Sequence, residues 1–297
     1  MATPWLWAVF TVIAAFAQTL RNAIQRELTA SLGTVGATHV RFLFGLPFVL
    51  IFLIGELMAT HSAMPKPGLI FWPWVIDGAC AQVAATALML AAMGERSFVV
   101  TIAYTKTEPI QVAVFGLVFL GDMLTWPMII AILIATTGVV IMSTKPGGMV
   151  GGVRPTLIGV ASGGMFALSA IGFRGGILSL QSTNYIAAAT FTLAVGIAMQ
   201  AVLLSLYLGL RNPTVMLAIV RAWKPSLLAG LAGAVASQFW FLAFALATAA
   251  SVRTLALIEV LFAQVIARFA FGHHTTVREA LGMLLVVGGV GLLLWAY

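Results

Sequence analysis

The chain is 297 residues long, 62% hydrophobic and 8% charged, with a mean hydropathy of +1.09 and a formal net charge of +7. Soluble domains run near about 25% charged, so water alone does not solvate this chain, and its length leaves no room for a sizeable soluble domain. One cysteine, Cys80, excludes an intramolecular disulfide and a cysteine metal cluster. The 15 Lys and Arg are scattered singly, which makes membrane topology rather than nucleic acid the reason for the basic balance.

Apolar runs of roughly 20 residues, one per bilayer crossing, are punctuated by Gly, Pro and charges. They predict spans at 4–28, 35–58, 71–92, 97–120, 126–144, 155–174, 183–209, 226–247, 252–271 and 279–296. The first begins with Pro4, Trp5 and Trp7 and lacks a basic leader and a small-residue cleavage site, so it reads as a helix rather than a signal peptide. Between the fifth and sixth spans, the Gly- and Pro-rich stretch from Lys145 to Pro155 divides the chain into two five-helix halves, 1–146 and 153–297. The expected fold is all-α, a polytopic membrane protein of ten transmembrane helices.

The halves are related. Glu108 and Glu259, Gly121 and Gly272, and Gly138 and Gly289 each stand 151 residues apart within matching apolar patterns. Two intramembrane glutamates in register are hard to obtain by chance. An odd number of spans per half forces the second into the membrane with opposite orientation, an inverted repeat suited to alternating access.

The basic residues of the loops set the orientation. Ten lie on one side (Arg21, Arg26, Arg96, Lys145, Arg154, Arg211, Arg221, Lys224, Arg268 and Arg278) and three on the other (Lys66, Arg174 and Arg253). Both termini are therefore expected on the same, outer face.

Charge at mid-bilayer is costly, at least about 2.5 kcal/mol on insertion scales, so intramembrane ionisable residues are functional candidates by default. Arg41, Asp77, Lys106, Glu108 and Glu259 qualify. In the fourth span, helical spacing puts Thr101, Tyr104, Glu108 and Gln111 on one stripe. Pro109 loosens the turn before it and frees the carbonyl near Thr105 for a ligand or a water. Glu108 has Lys106 and Arg41 as candidate ion-pair partners. Glu259 has no cation within one turn of its own helix, so burial would favour its protonated form and a carried proton.

Gln82, Asn184, Tyr185, Gln238 and Trp240 add a candidate cavity lining, whereas Trp72, Trp74, Trp126, Trp223 and Trp295 sit at span ends as interface anchors. The sequence holds no phosphate-binding Gly-x-x-x-x-Gly-Lys-Ser/Thr loop. The adjacent His273 and His274 read as solvated loop residues, so no metal and no cofactor is expected. Gly163-Gly164, Gly175-Gly176 and Gly288-Gly289 read as points of close helix approach.

The stretches Ala87–Gly94 and Val100–Tyr104, then Glu108-Pro109, Gly121–Thr125 and Gly138-Val139, resemble the EamA repeat of the drug/metabolite transporter superfamily, and Phe241–Leu246, Glu259, Gly272 and Gly289-Val290 resemble a second copy. The resemblance implies ten helices in an inverted repeat around a central cavity, and secondary transport, often export of amino acids, other metabolites or cationic compounds. Val260 stands where the first half has Pro109, and His273 replaces the acidic residue kept as Asp122, so the halves are expected to bend differently. Many relatives keep both termini in the cytoplasm, and this chain's charges favour the reverse.

The resulting expectation is a multi-pass exporter of the bacterial inner membrane, a monomer or homodimer and not an enzyme. It would move amino acids, aromatic ones first, by alternating access, with protons as a candidate coupling ion and the lipid bilayer as its other partner. Its expected site residues are Glu108, Glu259, Arg41, Lys106, Tyr104, Gln82, Gln238 and Trp240. Glu108 and Glu259 would serve coupling or a substrate ammonium, and Arg41 or Lys106 a carboxylate. The alternatives are efflux of drugs or quaternary ammonium compounds, and a membrane protein that does not transport.

Overall fold

Inside a bilayer the backbone has no water to bond, so each crossing segment closes its own hydrogen bonds as a helix. The protein, analysed as a computed structural model, is described over residues 5–95, 104–143, 153–262, 264–265 and 276–297, and within these residues it is all-helical. The linker core at 144–152, Thr101, Arg268, Gly272 and the His273-His274 pair lie outside the described residues.

The elements are α1 (Leu6–Leu43), α2 (Gly45–Thr60), α3 (Phe71–Glu95), α4 (Glu108–Phe115), α5 (Trp126–Ser143), α6 (Val153–Ser179), α7 (Tyr185–Arg211), α8 (Pro213–Arg221), α9 (Trp223–Leu246), α10 (Ala249–Leu255) and α11 (Val277–Ala296). Among the described residues, five helices are long and apolar enough to cross a membrane. Large apolar side chains stand exposed along them, such as Ile51, Ile54, Leu206 and Leu284, as a lipid-facing surface requires. Trp72, Trp126, Trp223 and Trp295 are exposed as expected of anchors. Trp74 is not, because its ring covers Gly175.

The chain forms two compact units. One contains Met1–Cys80 and Gly172–Leu246, the other Ala81–Ile171 and Ala247–Tyr297. Neither coincides with a sequence half, because α3 and α6 each contribute to both.

In the first unit, the two expected spans before residue 60 meet at Gly33, whose φ of 67° and ψ of 174° leave the helix and suit a residue without a side chain. The chain turns back there, because Gln25 Nε2 donates to Ala37 O at 2.9 Å, and α2 carries on the second span. Arg21 and Arg174, assigned to loops from sequence, are buried at 6% and 9% exposure, and Arg174 donates from Nη1 to Phe244 O at 2.7 Å. Asn184 is a helix cap rather than a cavity residue. Its Oδ1 accepts from Ile186 N and Ala187 N at 3.0 and 3.1 Å, and its Nδ2 donates to Glu56 Oε1 at 2.7 Å. The short α8, absent from the predicted spans, buries Ile219 against Leu28, Leu32, Val40 and Leu208.

In the second unit, α5 and α11 approach backbone to backbone. A Cβ at Gly138 would lie 2.6 Å from Gly282 O and 2.9 Å from Val286 N, and one at Gly289 would lie 2.6 Å from Ala135 N and 2.9 Å from Ala131 O. Residues 131 and 135 stand 151 before 282 and 286, so the contacts of Gly138 and Gly289 are reciprocal. Of the third glycine pair only Gly289 makes the approach, since a Cβ at Gly288 meets nothing within 4 Å. A capping box of Thr276 and Glu279 starts α11, and Arg278 Nε donates to Ile141 O at 2.8 Å, near the end of α5.

Candidate functional site

In the second unit two glutamates sit immediately after two interruptions of helix. Lys106 and Thr107 form a turn between the helical residues 104–105 and α4, which opens with Glu108 and Pro109. In the other half, α10 tightens into a 3-10 turn at Ala256–Ile258, and α-helix resumes at 259–262, so Glu259 follows the turn as Glu108 does. Positions 106 and 107 correspond to 257 and 258 in the 151-residue register. An interruption thus precedes each glutamate, a two-residue turn beside Pro109 in the first half and a 3-10 turn beside Val260 in the second, so the halves bend differently here as expected.

The charges pair across these elements. Lys106 Nζ contacts Glu259 Oε1, their side chains 20% and 13% exposed, and Arg253 Nε lies 3.0 Å from Glu108 Oε1, at 14% and 12%. Each half thus supplies one acid and the cation for the other half's acid. Lys106 lies within the field of Glu108, two residues on, and makes its direct contact with Glu259. The expectation that Glu259 has no cation beside it held only along its own helix. Arg253, assigned to a loop from sequence, lies in α10, and Arg41 lies in the other unit. The four-residue cluster is formally neutral, which lowers the cost of holding it at low dielectric.

Around the first break, Thr107 Oγ1 donates to Tyr104 O at 2.7 Å, while Gln111 Nε2 lies 3.1 Å from Thr107 Oγ1 and 3.2 Å from Val160 O. Glycines on α6 admit these groups. A Cβ at Gly159 would lie 2.7 Å from Tyr104 Cβ, one at Gly164 2.6 Å from Gln111 Oε1, and one at Gly163 3.0 Å from Thr105 O. The carbonyl expected to face a ligand thus packs on Gly163. Gln82 is half-buried on α3 in this unit, one turn before Thr86, which donates to its carbonyl at 2.9 Å.

Arg41, Gln238 and Trp240 belong to the first unit. Gln238 Nε2 donates to Thr190 Oγ1 at 2.6 Å, and Arg41 Nη2 lies 3.4 Å from Ser237 Oγ. Trp240 is buried rather than open, its Nε1 donating to Gln18 Oε1 at 3.1 Å. Asp77 is exposed on α3 and joins neither group. Sequence reading missed Gln18, Asn22 and Gln25, a polar stripe at helical spacing on α1, together with Arg21, Ser237 and the role of Arg253. The stripe was legible from its spacing; the Arg253 pairing, made between distant segments, was not.

Apolar exposed helices and charges paired in the interior define a multi-pass α-helical membrane protein. Residues 5–144 match the sequence model of the EamA-like transporter family. That match indicates a transporter of the drug/metabolite superfamily. A search of curated proteins gave no match. Among 27 matching solved chains, one crystal structure is similar over 98% of this chain and 97% of its own, at 16% identity and a TM-score of 0.73, a likeness of fold.

Proposed function

We propose that the protein is a secondary carrier exporting small metabolites, amino acids and aromatic ones first, across a bacterial inner membrane by alternating access. The observation that carries this reading is the exchange of charges at two matched helix breaks, Lys106 with Glu259 and Arg253 with Glu108. Interrupted helices holding ionisable groups are the usual setting of carrier sites, and paired charges have two arrangements, closed or opened onto a ligand. In this reading a proton on Glu259 or Glu108 releases its cation, which links a proton gradient to the opening. A lipophilic cation would have to displace Lys106 or Arg253, so drug or quaternary ammonium efflux fits these carboxylates less well.

The second half, 153–297, is in this proposal a diverged, inverted copy of 1–146. The register of the glutamates, the matched breaks and the reciprocal contacts of Gly138 and Gly289 support that relation. Burial also sharpens the orientation. Arg21 leaves the count of ten, and Arg174 and Arg253 leave the count of three, so nine basic residues stand against Lys66 alone. Both termini then face outward.

Uptake and efflux of labelled amino acids in proteoliposomes, with and without a pH gradient, test the proposal. Exchange of at least one aromatic amino acid, faster with the gradient, is expected. Equal rates with and without it would remove proton coupling, and no exchange of any labelled amino acid would remove the amino-acid reading.

A further inference from the structure

The connection from α7 to α9 in the first unit carries three cations in close succession. Arg211 ends α7, Arg221 ends α8 and Lys224 lies in the first turn of α9, and all three are exposed. Among the described residues none of them has an acidic partner. The surrounding sequence offers none, since no Asp or Glu occurs between Asp122 and Glu259. Lys224 Nζ lies 5.7 Å from the centroid of the Trp223 ring, a cation–π contact that keeps the ammonium beside an exposed interface anchor.

Helix α8 between them has two faces. Ile219 is buried against Leu28, Leu32, Val40 and Leu208, with Val215, Ala218 and Ala222 packed on the same cluster. The opposite face presents Leu217 and Val220, 51% and 58% exposed, and Arg221 stands one turn from Leu217 on that face. Nine residues at 1.5 Å each reach about 14 Å, less than half the hydrocarbon thickness of a bilayer, so α8 does not cross. Its exposed leucine and valine call for hydrocarbon and its arginine for polar groups, and a short helix meets both demands lying along the interface. There a zwitterionic lipid brings its own cation beside its phosphate. An anionic lipid brings the phosphate without one, and a guanidinium fork matches phosphate oxygens in bidentate fashion.

We propose that α8 and its flanks dock an anionic phospholipid of the adjoining leaflet. Arg221 meets the phosphate, Arg211 and Lys224 add to the positive field that selects it, and an acyl chain lies against Leu217 and Val220. The lipid covers the outer face of a helix whose inner face packs on α1 and α7, and so stabilises the first unit. The inference rests on the membrane-embedded fold and not on the carrier reading or on any substrate.

The test is thermal unfolding and native mass spectrometry of the delipidated protein in neutral detergent, titrated with phosphatidylglycerol, with phosphatidylcholine of the same acyl chains, and with inorganic phosphate. Phosphatidylglycerol is expected to raise the melting temperature and to stay bound, less so at high salt; the other two are expected to do neither. Arg221→Gln should weaken apparent affinity for phosphatidylglycerol about fivefold, and Arg221→Gln/Lys224→Gln further. Leu217→Ser/Val220→Ser should weaken it without changing the net charge, whereas Lys66→Gln, one charge removed elsewhere, should not. Equal stabilisation of the wild type by phosphatidylcholine or by inorganic phosphate overturns the site whether or not the variants fold. Unchanged affinity in folded Arg221→Gln/Lys224→Gln protein overturns it too, as does an equal loss with Lys66→Gln. A dimer that Leu217→Ser/Val220→Ser dissociates would assign the face to a second copy of the chain, against the proposal.

Discussion

Glu259 and Lys106 are both mostly buried, so removing one leaves the other's charge in a low-dielectric setting without its partner. Breaking such a pair costs about 3–5 kcal/mol, whereas replacing both members by neutral groups is close to neutral. Glu259→Gln or Lys106→Gln alone should therefore lower the melting temperature of the purified protein markedly, and the double variant should recover most of it. Equal melting temperatures in all four proteins would show that the pair bears no such load. The acids were legible in sequence, because a carboxylate within a long apolar run needs a reason. Their partners were not, because local spacing assigns Lys106 to Glu108 and fold geometry assigns it to Glu259. Arg21 and Arg174 were misread as loop residues for a related reason: their positions near predicted span ends said nothing of the acceptors Arg174 finds in Phe244 O and Arg21 in Asn22 Oδ1.

At the scale of elements, the helix break before Glu108 coincides with Pro109, but the corresponding break before Glu259 forms with Val260. The interruption therefore does not depend on proline. Pro109→Ala is expected to shift stability by no more than about 1 kcal/mol, the size of a chain-entropy effect, and to leave transport intact; a loss of transport with folding preserved would make the proline itself essential. Close packing of α5 on α11 gives a sharper contrast. A side chain at Gly138 would run into the Gly282 carbonyl, and one at Gly288 meets nothing. Gly138→Ala should destabilise by about 1–3 kcal/mol, the range of overpacked cores, and Gly288→Ala should change little, as thermal unfolding would read. Span positions were largely legible, since hydropathy follows bilayer thickness. The tightness of the turn at Gly33 and helix α8 were not: a single glycine reverses the chain where a longer loop was expected, and α8 is too short to register as a span.

For the whole molecule, orientation follows from charges that remain outside the interior. Cys80 is the single cysteine and is exposed, so Cys80→Ala gives a background for site-specific labelling. In whole cells, a cysteine at Lys66 should react with a membrane-impermeant maleimide and one at Arg221 should not; the opposite pattern would put both termini in the cytoplasm. The family was readable from the first half, which carries the matched motifs and the match at residues 5–144. The proposed second copy rests mainly on Glu259 and Gly289, which keep the 151-residue spacing from Glu108 and Gly138.

The central claim is that the exchanged charges serve transport and not only folding. Its most direct test is counterflow of a labelled aromatic amino acid in proteoliposomes containing wild type or the Lys106→Gln/Glu259→Gln double variant, normalised to folded protein. Exchange by the wild type is expected, and its loss in a double variant that melts like wild type. Equal exchange by both would contradict it and reduce the pair to scaffolding.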